Sequence, residues 1–182
     1  MKKVMIVIGH DFNSKGCHNE NLNVHEYDFC MKVATTLFAE EVWDDVDLLL
    51  KSRNRFYRDL ADEINSSNPD YVIELHLNSV DNKKVQGTEH LYCHGSTRGE
   101  KMANILQKHC LAEFGYRDRG IDARVKGENG YPILSKTKAP CVIAEPFFLS
   151  DVNIKQEDLE ELIRKYITYL KKSIREICNR GI

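Results

Sequence analysis

The 182-residue chain lacks any apolar run near the roughly 18 residues that a membrane-spanning helix needs. Lys2 and Lys3 followed by Val4–Ile8 have the outline of an export signal, but Gly9, His10 and Asp11 interrupt the stretch at once. It reads instead as a first β-strand. The chain is therefore expected to be made in the cytoplasm without a signal peptide and without membrane insertion. Proline and glycine are scarce, at 4 and 10 residues, which excludes collagen-like repeats and Pro/Gly-rich disorder. Neither sign of charge dominates: 26 Lys and Arg against 28 Asp and Glu leave a net of -2. That balance gives no electrostatic footprint for nucleic acid or an anionic membrane. No two of the six cysteines form a Cys-x-x-Cys pair, so a thiolate zinc knuckle or thioredoxin-like motif is not expected. Cys110 and Cys141 lie within apolar segments, where Cys behaves as a small buried hydrophobe. Free thiols in a reducing compartment are the expectation.

What the chain does contain is an alternation of strand and helix patterns from end to end. Val4–Ile8, Val46–Leu50, Tyr71–Leu77, Thr88–Cys93 and Cys141–Ala144 read as strands. Phe29, Val33, Ala34, Leu37 and Phe38 share one face of a helix over Glu26–Glu40. Arg55–Ser66 reads as a helix ended by Asn68-Pro69, and Met102–Cys110 repeats at helical spacing. A long amphipathic helix from Leu159 to Ile177 closes the chain. Asp11–His25 reads as a polar loop, and Gly115–Thr137 as a patternless one of the length that usually meets a ligand. With no repeat or linker, the expectation is one α/β domain over 1–182, its helices packed on a mainly parallel sheet.

In open α/β sheets, ligands bind beyond the carboxyl ends of the strands. His10 follows the first strand after a single Gly. His76 stands near the end of Tyr71–Leu77, with Asn78 two residues on and on the same side. Glu145 directly follows Cys141–Ala144. Glu26 opens a helix, where a carboxylate is favoured by the helix dipole, and the loop from His10 can bring it back over the strand ends. Two imidazoles and a carboxylate form a usual three-ligand set for catalytic zinc, leaving Glu145 as base. On spacing alone the plainer alternative stands beside it: a dipole-partner Glu and hydrogen-bonded histidines. Among rivals, His90 and Cys93 point to opposite faces of a strand. His18 and His25 have no strand to hold them, and His109 sits on the apolar side of a helix. Glu20, a possible substitute for Glu26, lacks a following apolar helix.

Three segments follow in order: Ile6-Val7-Ile8-Gly9-His10, Glu26-Tyr27-Asp28-Phe29, and Ile73-Glu74-Leu75-His76-Leu77-Asn78. This order resembles a known family, the zinc-dependent N-acetylmuramoyl-L-alanine amidases of the amidase-3 type, found among bacterial cell-wall hydrolases and phage endolysins. Between and after the three segments, Ser52-Arg53, Arg58, Ile64-Asn65, Gln86-Gly87-Thr88-Glu89 and Arg119-Gly120-Ile121 are similar to family segments. Ala139-Pro140 through Glu145-Pro146-Phe147-Phe148 resembles the closing Pro-x-x-x-x-Glu-x-x-Phe signature. Asp11 stands where the family usually has Gly, and Glu74 where Ser is common.

The resemblance implies a single phosphorylase/hydrolase-like domain with a twisted sheet flanked by helices. It makes His10, Glu26 and His76 ligands of Zn²⁺ and Glu145 the general base toward a zinc-activated water. Asn78 and Arg119 are the expected substrate contacts. The implied substrate is peptidoglycan, cut between N-acetylmuramic acid and L-alanine, by a monomer that binds no nucleic acid. Without an export signal, a lysin released through a membrane lesion fits this expectation. Two alternatives stay open: a zinc amidohydrolase or carboxypeptidase for free peptides or acyl-amino acids, and a non-catalytic cell-wall-binding domain.

Overall fold

The computed structural model describes residues 1–40, 43–53 and 59–182, with the backbone alone at Glu40. In chain order the first half forms β1 (Lys2–Ile8), β2 (His18–Asn19), β3 (Val24–His25), α1 (Glu26–Glu40), β4 (Val46–Ser52), α2 (Leu60–Ser66) and β5 (Tyr71–Leu75). The second half forms β6 (Thr88–Cys93), α3 (Thr97–Phe114), β7 (Asp118–Arg124), α4 (Tyr131–Lys136), β8 (Cys141–Glu145) and α5 (Leu159–Arg180).

Val4–Ile8 of β1 are buried, as a strand with helices on both faces requires, and four of these five residues are β-branched. Such a strand belongs in the interior of a sheet. The six-stranded order is β4-β1-β5-β8-β6-β7. β4, β1, β5 and β8 run parallel, while β6 lies antiparallel to β8 and carries β7 parallel to itself. The architecture is thus the α/β, mainly parallel sheet expected from the sequence.

Alternation along the strands divides the core. Val4, Ile6, Ile8, Tyr71, Ile73 and Leu75 face a large cluster with α1, α3 and α5, whose buried residues include Phe29, Leu106 and Tyr166. Met5, Val7, Val72 and Ile143 face a smaller cluster with Leu60, Ile64, Ile133 and Leu134 from α2 and α4. Asn65 fastens these two short helices, donating to the Lys136 carbonyl at 3.0 Å and accepting the Lys138 N–H at 2.8 Å.

Two expectations need correction. Gly115–Thr137 is not patternless: it contains β7 and α4. β7 is an edge strand with one neighbour, so its residues are only partly buried and show no apolar alternation. The Asp11–His25 loop contains the antiparallel ribbon β2/β3, which sets His18 opposite His25 with ring centroids 4.4 Å apart. Those two histidines therefore do have strands to hold them. The helix expected over Arg55–Ser66 is α2 from Leu60; its Arg55–Arg58 portion lies outside the described residues. Among the described residues, no helix is long and apolar enough to cross a membrane.

Candidate active site

β1 ends at Ile8, and the Gly9 N–H continues the ladder by donating to the Leu75 carbonyl at 2.9 Å. A Cβ on Gly9 would stand 2.4 Å from the His76 ring, so only glycine lets that imidazole pack against the end of β1. The chain then turns at His10 with φ +63°, a left-handed conformation that is uncommon outside glycine and often marks a functional position. Asp11 stabilises the turn, its Oδ1 accepting the N–H groups of Asn13 and Ser14 at 2.8 and 3.0 Å.

The following loop is polar in sequence yet firmly anchored. Buried Asn19 donates to the carbonyls of Leu149 and Asp151 at 2.6 and 3.2 Å and accepts the Leu22 N–H at 2.9 Å. This brings α1 back over the strand ends. The Glu26 carboxylate is not spent on its own helix. Its Oε1 accepts the Leu77 N–H at 3.0 Å, and its Oε2 the Cys17 N–H at 3.3 Å.

The same carboxylate lies between two imidazoles, 3.1 Å from His10 Nε2 and 2.8 Å from His76 Nδ1. Among the described residues, His10, Glu26 and His76 form the one group of three or more potential metal-ligating side chains. Their donor atoms all lie within 4.8 Å of one another. Gly16 (φ +74°) completes the cradle: a Cβ there would fall 2.5 Å from Glu26 Oε2 and 2.7 Å from His10 Nε2. Nothing in the sequence pattern singled out this glycine.

The electrostatics of the cluster favour a cation. Burial opposes charge on Glu26, but hydrogen bonds and charges from the two imidazoles hold its carboxyl well below the usual range. Burial likewise pulls His76 down, yet Glu74 and Glu26 outweigh it and push the imidazole up to about 10. Two imidazole nitrogens and a carboxylate oxygen in a fixed, partly dry cradle fit a divalent ion such as zinc.

Glu145, the last residue of β8, faces the same cavity of about 900 Å³ as His10, Glu26 and His76. Burial, reinforced by the Glu89 and Glu26 carboxylates, raises its pKa to about 7, against the opposing pull of His76. Asn78 lies just past β5 and donates through Nδ2 to Glu145 Oε2 at 2.8 Å, and also to Glu89. Arg119 reaches the rim from β7, 3.3 Å from Glu89 through Nε and stacked over Phe148 at 5.1 Å. All six candidates thus line one groove.

The rivals are accounted for elsewhere. His90 is buried against Gln107, 2.7 Å from its Oε1, and His109 pairs with Glu176 of α5 at 2.6 Å. Glu20 is exposed, and Arg58 lies outside the described residues. The sequence reading missed Glu89 as a neighbour of Glu145. Its signal was the register of a strand whose antiparallel direction was not evident.

Comparison with known proteins adds three findings. The family model described as N-acetylmuramoyl-L-alanine amidase matches residues 4–168. No curated protein sequence matches the chain. Solved structures share the fold: the catalytic domain of CwlV, N-acetylmuramoyl-L-alanine amidase from Bacillus (Paenibacillus) polymyxa, superposes with a TM-score of 0.81 at 20% identity, covering 98% of this chain and 99% of that one. The CwlD amidase from Clostridioides difficile, solved in complex with the GerS lipoprotein, gives 0.84 at 16% identity with the same coverage. The catalytic domain of CD27L endolysin, targeting Clostridia Difficile, gives 0.71 at 23% identity and covers 98% of both chains.

Proposed function

Because the chain belongs to the N-acetylmuramoyl-L-alanine amidase family, we propose that its groove hydrolyses the amide joining N-acetylmuramic acid to L-alanine in peptidoglycan, acting on the cell wall. The observation that carries this reading is one carboxylate, Glu26, held between His10 and His76 on the same cavity as Glu145.

His10, Glu26 and His76 would hold Zn²⁺. Bound there, zinc would supply Lewis-acid polarisation of the amide carbonyl and would lower the pKa of a water from about 15.7 toward about 7. The ionised Glu145 carboxylate takes a proton from the attacking water as the water oxygen bonds to the amide carbon. A carboxyl with a pKa near 7 gives up the same proton readily, so Glu145 then delivers it to the departing L-alanine amine, which leaves poorly unprotonated. Asn78 holds the Glu145 carboxylate in place through its amide and, with Arg119 at the rim, is the proposed contact for substrate.

The test is product analysis. Zinc-loaded protein incubated with purified peptidoglycan should expose new amino-terminal L-alanine. Release of carboxy-terminal amino acids from free peptides instead would assign the same groove to a carboxypeptidase, and no turnover with intact wall binding would assign it to a binding domain.

A further inference from the structure

A carboxylate in the middle of a buried strand is costly unless its charge is matched. Glu74 is such a group, 1% exposed within β5. In register it stands between Val7 of β1 and Ile143 of β8, and both belong to the smaller apolar cluster, as does Val72 two residues earlier. Apolar side chains fill the positions beside it, so the charge calls for another explanation.

Glu74 Oε1 meets two groups: Arg53 Nη2 at 3.2 Å and His76 Nε2 at 3.5 Å. The other His76 nitrogen, Nδ1, faces Glu26 at 2.8 Å. Each ring nitrogen therefore addresses its own carboxylate, and Gly9 closes against the ring from the end of β1. Of these two carboxylates, only Glu26 also meets His10.

We propose that Glu74 is a positioning residue for the metal site. It accepts the Nε2–H of His76, fixes the plane of that imidazole and leaves Nδ1 directed toward the ion shared with His10 and Glu26. Arg53 in turn steadies the Glu74 carboxylate. This inference rests on the zinc reading of the site. Carboxylates behind ligating imidazoles orient the ring and raise its basicity, and their loss typically weakens metal affinity 10- to 100-fold.

The competing account makes Glu74 only the counter-ion of Arg53. Two variants of the full chain separate the accounts: Glu74→Leu, and Glu74→Leu combined with Arg53→Met. The double variant replaces the ion pair by apolar groups, which folds tend to tolerate, and so remains informative if the single variant misfolds. Zinc dissociation constants are read by competition with a chromogenic chelator. The proton on His76 is located by ¹H–¹⁵N correlation spectra of the zinc-loaded parent. The expected result is a loss of zinc affinity of about 10- to 100-fold in the double variant, with the parent carrying its His76 proton on Nε2. Parental affinity in the double variant, or a His76 proton on Nδ1, overturns the inference while leaving the zinc reading intact. A parent that takes no zinc overturns the zinc reading itself, and the inference with it.

Discussion

Glu145 stands directly opposite Glu89 across the β8–β6 ladder, and the Asn78 amide donates to both carboxylates. Burial disfavours the charged form of Glu145, and the Glu89 carboxylate in register on the same face adds to the effect, so Glu145 stays protonated up to about pH 7. As a base it works only when ionised. Hydrolysis should therefore rise with pH through about 7. Glu89→Gln removes one source of the upward push and should move this acidic limb to lower pH, as read from kcat/KM profiles.

Loss of the proposed base and loss of a proposed ligand should look different. Glu145→Gln is expected to keep zinc at parental stoichiometry while hydrolysis falls by about 10²- to 10⁴-fold. His76→Ala should lose the metal as well as the activity. Metal analysis by mass spectrometry alongside turnover of purified wall separates the two.

Gly16 tests the cradle. Its positive φ and the close approach to Glu26 and His10 leave no room for a methyl group. Gly16→Ala should cost on the order of 1–3 kcal/mol in backbone strain and displacement. Its signature is weaker zinc binding together with a lowered melting temperature. Gly115→Ala, at a positive φ with open space around the new Cβ, should lower the melting temperature but leave zinc binding unchanged.

His90 makes stability sensitive to acid. Burial pulls its imidazole down to about 4, with the Gln107 contact opposing only in part. In the unfolded chain the same group titrates near its ordinary value of about 6.5. Between these limits the unfolded state binds the extra proton. Stability is therefore complete above about pH 6.5 and is lost as pH falls toward 4, by on the order of 3 kcal/mol. Urea midpoints measured across that window should show a steeper decline in the parent than in His90→Phe.

Much of this was legible in the sequence. α1 begins and ends where its apolar face and charged ends place it, and β1, β5 and β8 read as buried strands because helices cover both faces. Those same strands point His10, His76 and Glu145 at one mouth, so topology alone nominates them. The edge strand β7 escaped notice because a strand with one partner needs no apolar alternation, and Asp118–Arg124 shows none. α4, with six residues, is shorter than two helical turns and offers no period to read. The importance of Gly16 and of Glu74 depends on which distant groups come to lie beside them, information that spacing along the chain does not carry.

Asn19 was one polar residue among several in an apparently loose loop, yet its amide is fastened to the carbonyls of Leu149 and Asp151, just beyond Glu145. The segment between His10 and Glu26 is thereby tied to the segment that follows Glu145. Slack introduced at either place is felt at the other, so insertions at 149–151 should disturb the placement of His10 and Glu26, far earlier in the chain.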